Sequence, residues 1–158
     1  MDGFATAVEG LAGQRLGGRD LPGFQRAVRR CGLWTLVAAG LVSLAFLSLQ
    51  QPIVNVLTGI DAVRELMASY FPWLVLLPLL AAPSYLLDGV FIGAAETRYM
   101  MSTMLQSVLL VYLPLWYLTQ GLGNHGLWLS FTAFNLARGV GLYYWFRRLT
   151  EGGGWLAR

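Results

Sequence analysis

Long runs of uncharged, mostly apolar residues, separated by short polar segments, are the main pattern of this chain. Four runs each approach or exceed the roughly 20 residues that a helix needs to cross about 30 Å of hydrocarbon. The first 18 residues form a weaker fifth candidate, because they are rich in glycine and alanine and contain Glu9. The pattern predicts an all-α polytopic transmembrane helix bundle, with four full spans and a partial N-terminal one, at approximately residues 1–18, 31–50, 69–95, 100–120 and 124–146.

The composition agrees with a membrane protein. Hydrophobic residues make up 56% of the 158 and charged residues only 12%, whereas about 25% charged residues is usual in soluble domains. One cysteine, Cys31, and one histidine, His125, exclude an internal disulfide and a cysteine- or histidine-rich metal cluster. No phosphate loop, nucleophile elbow or zinc motif is found. We therefore expect neither an enzyme nor a metal or other cofactor site.

The arginines are distributed unequally between the two ends of the spans. All eleven basic residues are arginine, and nine of them fall in alternate loops that share one side: Arg15, Arg19, Arg26, Arg29, Arg30, Arg98, Arg147, Arg148 and Arg158. Only Arg64 falls on the opposite side. By the positive-inside rule, this nine-to-one bias predicts a cytoplasmic C-terminus. Membrane topology therefore accounts for the arginines of loop 15–30, and we expect no binding of nucleic acid. The loop would also attract anionic lipid headgroups.

Asp88 is the most informative single residue. It is the only charged residue between Leu66 and Ala95, in a span that also contains Pro72, Pro78 and Pro83. A charge near the bilayer centre costs roughly 2.5–3.5 kcal/mol on insertion scales, so such residues usually face a protein interior or a water-filled path. Each proline removes an intrahelical hydrogen bond. A kinked helix that carries a buried acid is typical of a transporter and unnecessary in a simple anchor.

Three ionisable residues lie at a similar predicted depth. Asp88, Arg138 and Glu9 each precede an arginine of the basic side by nine or ten residues, which places them about 13–15 Å from that boundary. Groups at one depth on separate helices can meet inside a bundle. Two interpretations remain open: a structural ion pair of Arg138 with either acid, or a cation- or proton-coupling site at Asp88 and Glu9 with Arg138 as charge partner.

Other patterns are weaker predictors. Gly13 and Gly17 have the small-xxx-small spacing that allows close helix contact. Residues 61–67 predict a short external helix that leads into the span of Asp88. Four aromatic residues are candidates for lining a cavity for flat organic cations by cation–π contact, although core or lipid-facing packing is the ordinary role of such residues: Tyr85, Phe91, Tyr112 and Trp116.

Several short stretches resemble one known family of transporters. The most specific are LDGVFIGA at 87–94 and GNHGLW at 123–128, accompanied by YFPWL at 70–74 and LARG at 136–139. Together with EGLAGQ at 9–14 and GGRD at 17–20, they resemble the C-terminal lobe of MATE (multidrug and toxic compound extrusion) transporters, in their DinF branch. The resemblance covers nearly the whole chain in the family's order.

The resemblance implies a fold and a function. Residues 1–158 would be a partial C-terminal lobe that begins inside the eighth of twelve helices, and the N-terminal lobe would be its missing partner. The complete protein would be a proton- or sodium-coupled antiporter that exports organic or cationic compounds across the inner membrane. Asp88 matches the tenth-helix carboxylate of the cation site in sodium-coupled relatives, and this chain alone would be an inactive fragment.

Two alternatives remain open at this stage. One is a lipid-linked oligosaccharide flippase of the wider superfamily, in which more intramembrane basic charge is typical than the single Arg138. The other is a small membrane scaffold whose charges are structural and which transports nothing.

The arginine bias leads to a prediction about topology. Because nine arginines mark one side, a cysteine at position 26 should be protected from an impermeant thiol reagent in whole cells, and a cysteine at position 61 should react. Both substitutions, Arg26→Cys and Asp61→Cys, are made in a Cys31→Ser background. Labelling at 26 with protection at 61 would reverse the topology.

Overall fold

The computed structural model describes residues 2–156, and within them it contains helices and no strand. Met1 and Arg158, which belong to the predicted first helix and to the arginine count, lie outside this range. The all-α prediction is therefore confirmed for the described residues. The helices are α1 Asp2–Gly17, α2 Leu21–Ser48, α3 Gln50–Leu57, α4 Asp61–Gly93, α5 Thr97–Ser107, α6 Leu113–Leu118 and α7 Asn124–Glu151.

By length and composition, three of these segments can cross a membrane: α2, α4 and the continuous stretch Thr97–Leu118 that contains α5 and α6. The fourth predicted full span corresponds to α7, which has 28 residues but carries Asn135 and Arg138 near its middle. These polar residues lower its hydropathy, and α7 is not among the three. Helix α1 has 16 described residues, about 24 Å, and it is likewise not among the three.

Helix α2 begins ten residues earlier than the apolar pattern predicts. A carboxylate oxygen of Asp20 accepts a hydrogen bond from the backbone N–H of Gly23 at 2.9 Å, and Pro22 lies in the first turn. Both features are typical of helix starts. This backbone hydrogen bond, assisted by Arg15, holds the pKa of Asp20 below its usual value. The hydrophobic run therefore marks the membrane-buried part of α2 and not the whole helix.

Helix α4 is the central element, since α1, α2 and α7 all pack against it. It continues from Asp61 to Gly93 through Pro72, Pro78 and Pro83. Neighbouring helices allow membrane helices to tolerate the missing N–H groups. The expected short external helix at residues 61–67 is part of α4 and not a separate element.

The predicted span 100–120 is interrupted at its centre. Residues Val108–Tyr112 form a wider π-helical turn in which the N–H of Leu113 bonds to the carbonyl of Val108. The next residue, Pro114, has no N–H to donate to the preceding turn. We attribute the wide turn to this proline, because π-type turns relocate the hydrogen bonds of a helix by one residue.

The contact between α1 and α4 is made backbone to backbone. A methyl group built on Gly93 would lie 2.2 Å from the carbonyl oxygen of Glu9, and one built on Gly89 would lie 2.3 Å from that of Ala5. Gly13 also faces the backbone of Gly93, whereas Gly17 has nothing within 4 Å. The small-xxx-small motif that brings these helices together is therefore Gly89–Gly93 on α4, and the predicted pair Gly13–Gly17 contributes only its first glycine.

An aromatic cluster closes the arginine-rich end of the bundle. The ring of Trp155 lies 5.2–5.8 Å from the rings of Phe24, Phe91 and Phe146, and its Nε1 donates to the hydroxyl of Thr150. The cluster joins α2, α4 and α7. At the opposite end, the indole N–H of Trp73 donates to Nδ1 of His125 at 3.2 Å, which connects α4 to the start of α7.

The glycine contact predicts a selective sensitivity to small substitutions. Gly93→Ala should lower the free energy of unfolding by roughly 1–3 kcal/mol, as overpacking of a tight contact does, because the added methyl group overlaps the backbone of α1. Gly40→Ala is the matched control, since Gly40 is also helical and has nothing within 4 Å. Denaturation of the purified chain by SDS in mixed micelles measures both. Equal effects of the two substitutions would contradict the assigned crossing of α1 and α4.

Candidate functional site

The folded chain brings two of the three predicted intramembrane charges together. Arg138 on α7 donates a hydrogen bond from Nη2 to the Oδ2 carboxylate oxygen of Asp88 on α4, although the two residues are 50 positions apart. Their side chains are only 14% and 12% exposed, respectively. A buried ion pair between the central helix and α7 is thus the main polar feature inside the bundle.

Helix α7 packs against α4 next to the pair. A methyl group built on Gly139, the residue after Arg138, would lie 3.6 Å from the backbone nitrogen of Ser84, which is ordinary van der Waals contact. Ser84 is fully buried, and its hydroxyl donates to the carbonyl of Ala81 within α4. From this level the guanidinium of Arg138 reaches the carboxylate of Asp88, one turn further along α4.

The pair does not use all of its hydrogen-bonding capacity. Oδ1 of Asp88 and Nε of Arg138 are buried, and neither has a hydrogen-bond partner within residues 2–156. Buried polar atoms are normally partnered, so each exception calls for a water, an ion, a proton or another chain segment. An unpartnered carboxylate oxygen is an acceptor for a proton or for a small cation.

Glu9 does not join the pair. Its backbone is level with Gly93, five residues beyond Asp88 and therefore about 7.5 Å nearer the arginine-rich end. Its side chain is half-buried and takes part in none of the ion pairs of the described chain. Counting from Arg19 placed Glu9 too deep, because Arg15, in the last turn of α1, already lies at this end and pairs with Asp20 at 3.0 Å.

An apolar cavity of about 330 Å³ lies between α1, α2, α4 and α7. Two of its lining residues are polar: Tyr85 and Asn135. Tyr85 precedes Asp88 by three residues and Asn135 precedes Arg138 by three, so each lies on the same helix face as the charged residue that follows it. The cavity therefore adjoins the ion pair on the side away from the arginine-rich end. Its lining consists of Phe4, Ala38, Val42, Leu77, Pro78, Ala81, Tyr85, Phe131 and Asn135.

The four predicted cavity residues have different positions in the structure. Tyr85 lines the cavity, but Phe91 is fully buried in the aromatic cluster and has no surface to offer a substrate. The ring of Tyr112 packs edge-on against Phe134, and Trp116 is 42% exposed on α6. Phe91 therefore has the core-packing role that is ordinary for such residues. Asn135 lines the cavity without having been a candidate, and its signal in the sequence is a second polar residue three positions before Arg138.

Comparison with known proteins identifies the family. The family model MatE matches residues 1–118. DNA damage-inducible protein F of Escherichia coli is 37% identical over 161 residues, which cover 99% of this chain and 34% of that protein. No solved structure matches the chain. The chain spans about a third of the length of this relative. With its three span-forming segments, it is a multi-pass membrane protein that belongs to the MATE family of transporters, in the DinF branch.

Proposed function

We propose that this chain forms part of the C-terminal lobe of a cation-coupled antiporter, and that the Asp88–Arg138 pair is its ion-responsive element. The observation that carries the proposal is the buried pair between α4 and α7, in which one carboxylate oxygen of Asp88 has no partner in the described chain. The coupling ion would be a proton or a sodium ion.

The pair can exist in two states with different contacts between helices. In the first, seen here, Arg138 neutralises Asp88 and holds α7 against α4. In the second, a proton or a cation occupies the carboxylate and competes with the guanidinium. A buried arginine without its partner is costly, so ion binding would favour a rearrangement of α7 relative to α4. An ion that binds one of two helix arrangements better than the other shifts the equilibrium between them.

The cavity beside the pair is suited to organic compounds. Its volume of about 330 Å³ falls within the range of roughly 300–1,000 Å³ typical of small-molecule sites. The aromatic rings of Phe4, Tyr85 and Phe131 contribute to its wall, and aromatic faces attract organic cations. We therefore propose that the exported substrates are organic or cationic compounds. The cavity would form the part of their binding site that belongs to this lobe.

The complete transport cycle would require more protein than this chain. The E. coli relative is about three times as long, and we propose that an N-terminal lobe supplies the opposite wall of the transport pathway. The nine-to-one arginine distribution supports insertion in the inner membrane with the C-terminus in the cytoplasm. Alone, the chain would lack the second lobe needed for alternating access.

The buried pair predicts a non-additive effect on stability. Asp88→Asn and Arg138→Gln should each lower the free energy of unfolding by about 3–5 kcal/mol, because each leaves one buried charge without its partner. The double variant should recover much of this loss, since both charges are then absent. SDS denaturation of the purified chain measures all three. Additive losses would show that the two side chains do not interact.

The transport role predicts a different pattern for the same three variants. The test protein is a chimera in which this chain replaces the aligned third of the E. coli relative, and its expression is checked by immunoblot. Efflux of a cationic dye driven by a proton or sodium gradient should be lost in Asp88→Asn. It should also remain lost in the double variant, because restored stability does not restore the ion-binding carboxylate.

The matched control for the transport experiment is Glu96→Gln. Glu96 is also a buried carboxylate, but it lies beyond the end of α4, directly before α5, where it pairs with Arg98. We expect this variant to keep its efflux activity. Recovery of efflux in the double Asp88→Asn, Arg138→Gln variant would assign the pair a purely structural role, as in the structural ion-pair interpretation of these charges.

A further inference from the structure

A second apolar groove, separate from the cavity beside the ion pair, opens between α2 and α7 at the arginine-rich end. Its volume is about 420 Å³, and α4 forms its floor. Val28 and Gly32 on α2 form one wall, and Phe146 on α7 belongs to the other. Arg29 on α2 also lines the groove, and its side chain is exposed. We call the exposed edge beside Arg29 the mouth of the groove. The lining is mostly apolar, with Arg29 as the one charged residue among the described residues that form it.

The groove exists because both walls pack on α4 and leave a gap between them. Gly32 has no side chain to fill the gap, and a methyl group built there would lie 3.1 Å from Cδ2 of Leu86. Pro83 marks the deep end of the floor, ten residues and therefore about 15 Å before the end of α4. The groove thus runs from the hydrocarbon region towards the membrane surface.

The charge at the mouth is not compensated by the protein. Arg29 is exposed, and it takes part in none of the ion pairs of residues 2–156. Three described arginines at this end have carboxylate partners, namely Arg15, Arg98 and Arg147, whereas Arg29 is one of those that have none. Among the described residues that line the groove there is no acidic side chain. An anion at the mouth would therefore meet a positive charge and no repulsion.

We propose that this groove binds one anionic phospholipid, with an acyl chain in the slot between Val28 and Phe146 and the headgroup phosphate at Arg29. Basic pockets between transmembrane helices are known to bind acidic headgroups. The exposed phenol ring of Tyr143 borders the groove, and tyrosine is favoured at the membrane interface. A free phosphate ion would use only the arginine, whereas a lipid also fills the apolar slot. The site does not include Asp88 or Arg138, and its test by lipid binding does not depend on the proposed transport mechanism.

The test is lipid binding to the purified 158-residue chain, measured by native mass spectrometry with phosphatidylglycerol or phosphatidylcholine of identical acyl chains. The unmodified chain should retain phosphatidylglycerol more strongly. Arg29→Gln should lower the affinity for phosphatidylglycerol about fivefold, which is the usual contribution of one arginine to anionic lipid binding. The affinity for phosphatidylcholine should not change.

The matched control is Arg30→Gln. Arg30 is the next residue on α2 and is also exposed, but it lines a different groove that faces α1. We expect this variant to bind phosphatidylglycerol as the unmodified chain does.

Gly32→Leu tests the apolar slot, because the added side chain should weaken the binding of both lipids. SDS denaturation confirms that each variant is folded.

Three outcomes would overturn the assignment. Equal retention of the two lipids by the unmodified chain would remove the headgroup preference. Equal losses in Arg29→Gln and Arg30→Gln would indicate a diffuse basic surface without a defined site. Competition by soluble glycerol phosphate at the same concentration as the lipid would show that the arginine binds a free anion and that the slot is not used.

Discussion

A charge that lies among apolar helices must be neutralised, and here the carboxylate of Asp88 is neutralised by Arg138 of another helix. This requirement fixes the position of α7 on α4, because the guanidinium reaches the carboxylate only when the helices lie at the right depth and distance. Gly139, next to the arginine, packs against Ser84 of α4. The cavity beside the pair also depends on it, since α4 and α7 supply most of the cavity wall.

The segment LDGVFIG at 87–93 concentrates contacts with several parts of the bundle in two helical turns. Asp88 contacts α7, while Gly89 and Gly93 pack directly against the backbone of α1. Phe91 extends into the aromatic cluster. A change in any of these residues would alter a different helix contact, so the carboxylate of Asp88, which we propose responds to the coupling ion, is held by packing on both sides. Such support is what a site needs if the binding of one ion is to move a whole helix.

The two cavities beside α4 differ in chemistry and in their proposed use. The one next to Asp88 is apolar with Tyr85 and Asn135 as its polar groups, and we assign it to substrate. The groove at Arg29 is apolar with an exposed cation at its mouth, and we assign it to an anionic lipid. Both share α4 as a wall. A lipid in the groove at Arg29 would therefore contact α4 and α7, the two helices whose arrangement the coupling ion is proposed to change.

The sequence by itself determined the features that depend on position along a helix. The lengths of the apolar runs predicted the spans, and the arginine distribution predicted which loops share a side of the membrane. The number of residues to the nearest basic loop predicted a similar depth for Asp88 and Arg138. Whether a residue faces a neighbouring helix, the core or the lipid depends on how each helix is rotated and which helix lies beside it. In an apolar span this rotation leaves little trace, because core-facing and lipid-facing side chains are alike. Only the tertiary structure therefore decided that Phe91 is buried, that Glu9 lies away from Asp88, and that Gly89 and Gly93 form the contact with α1.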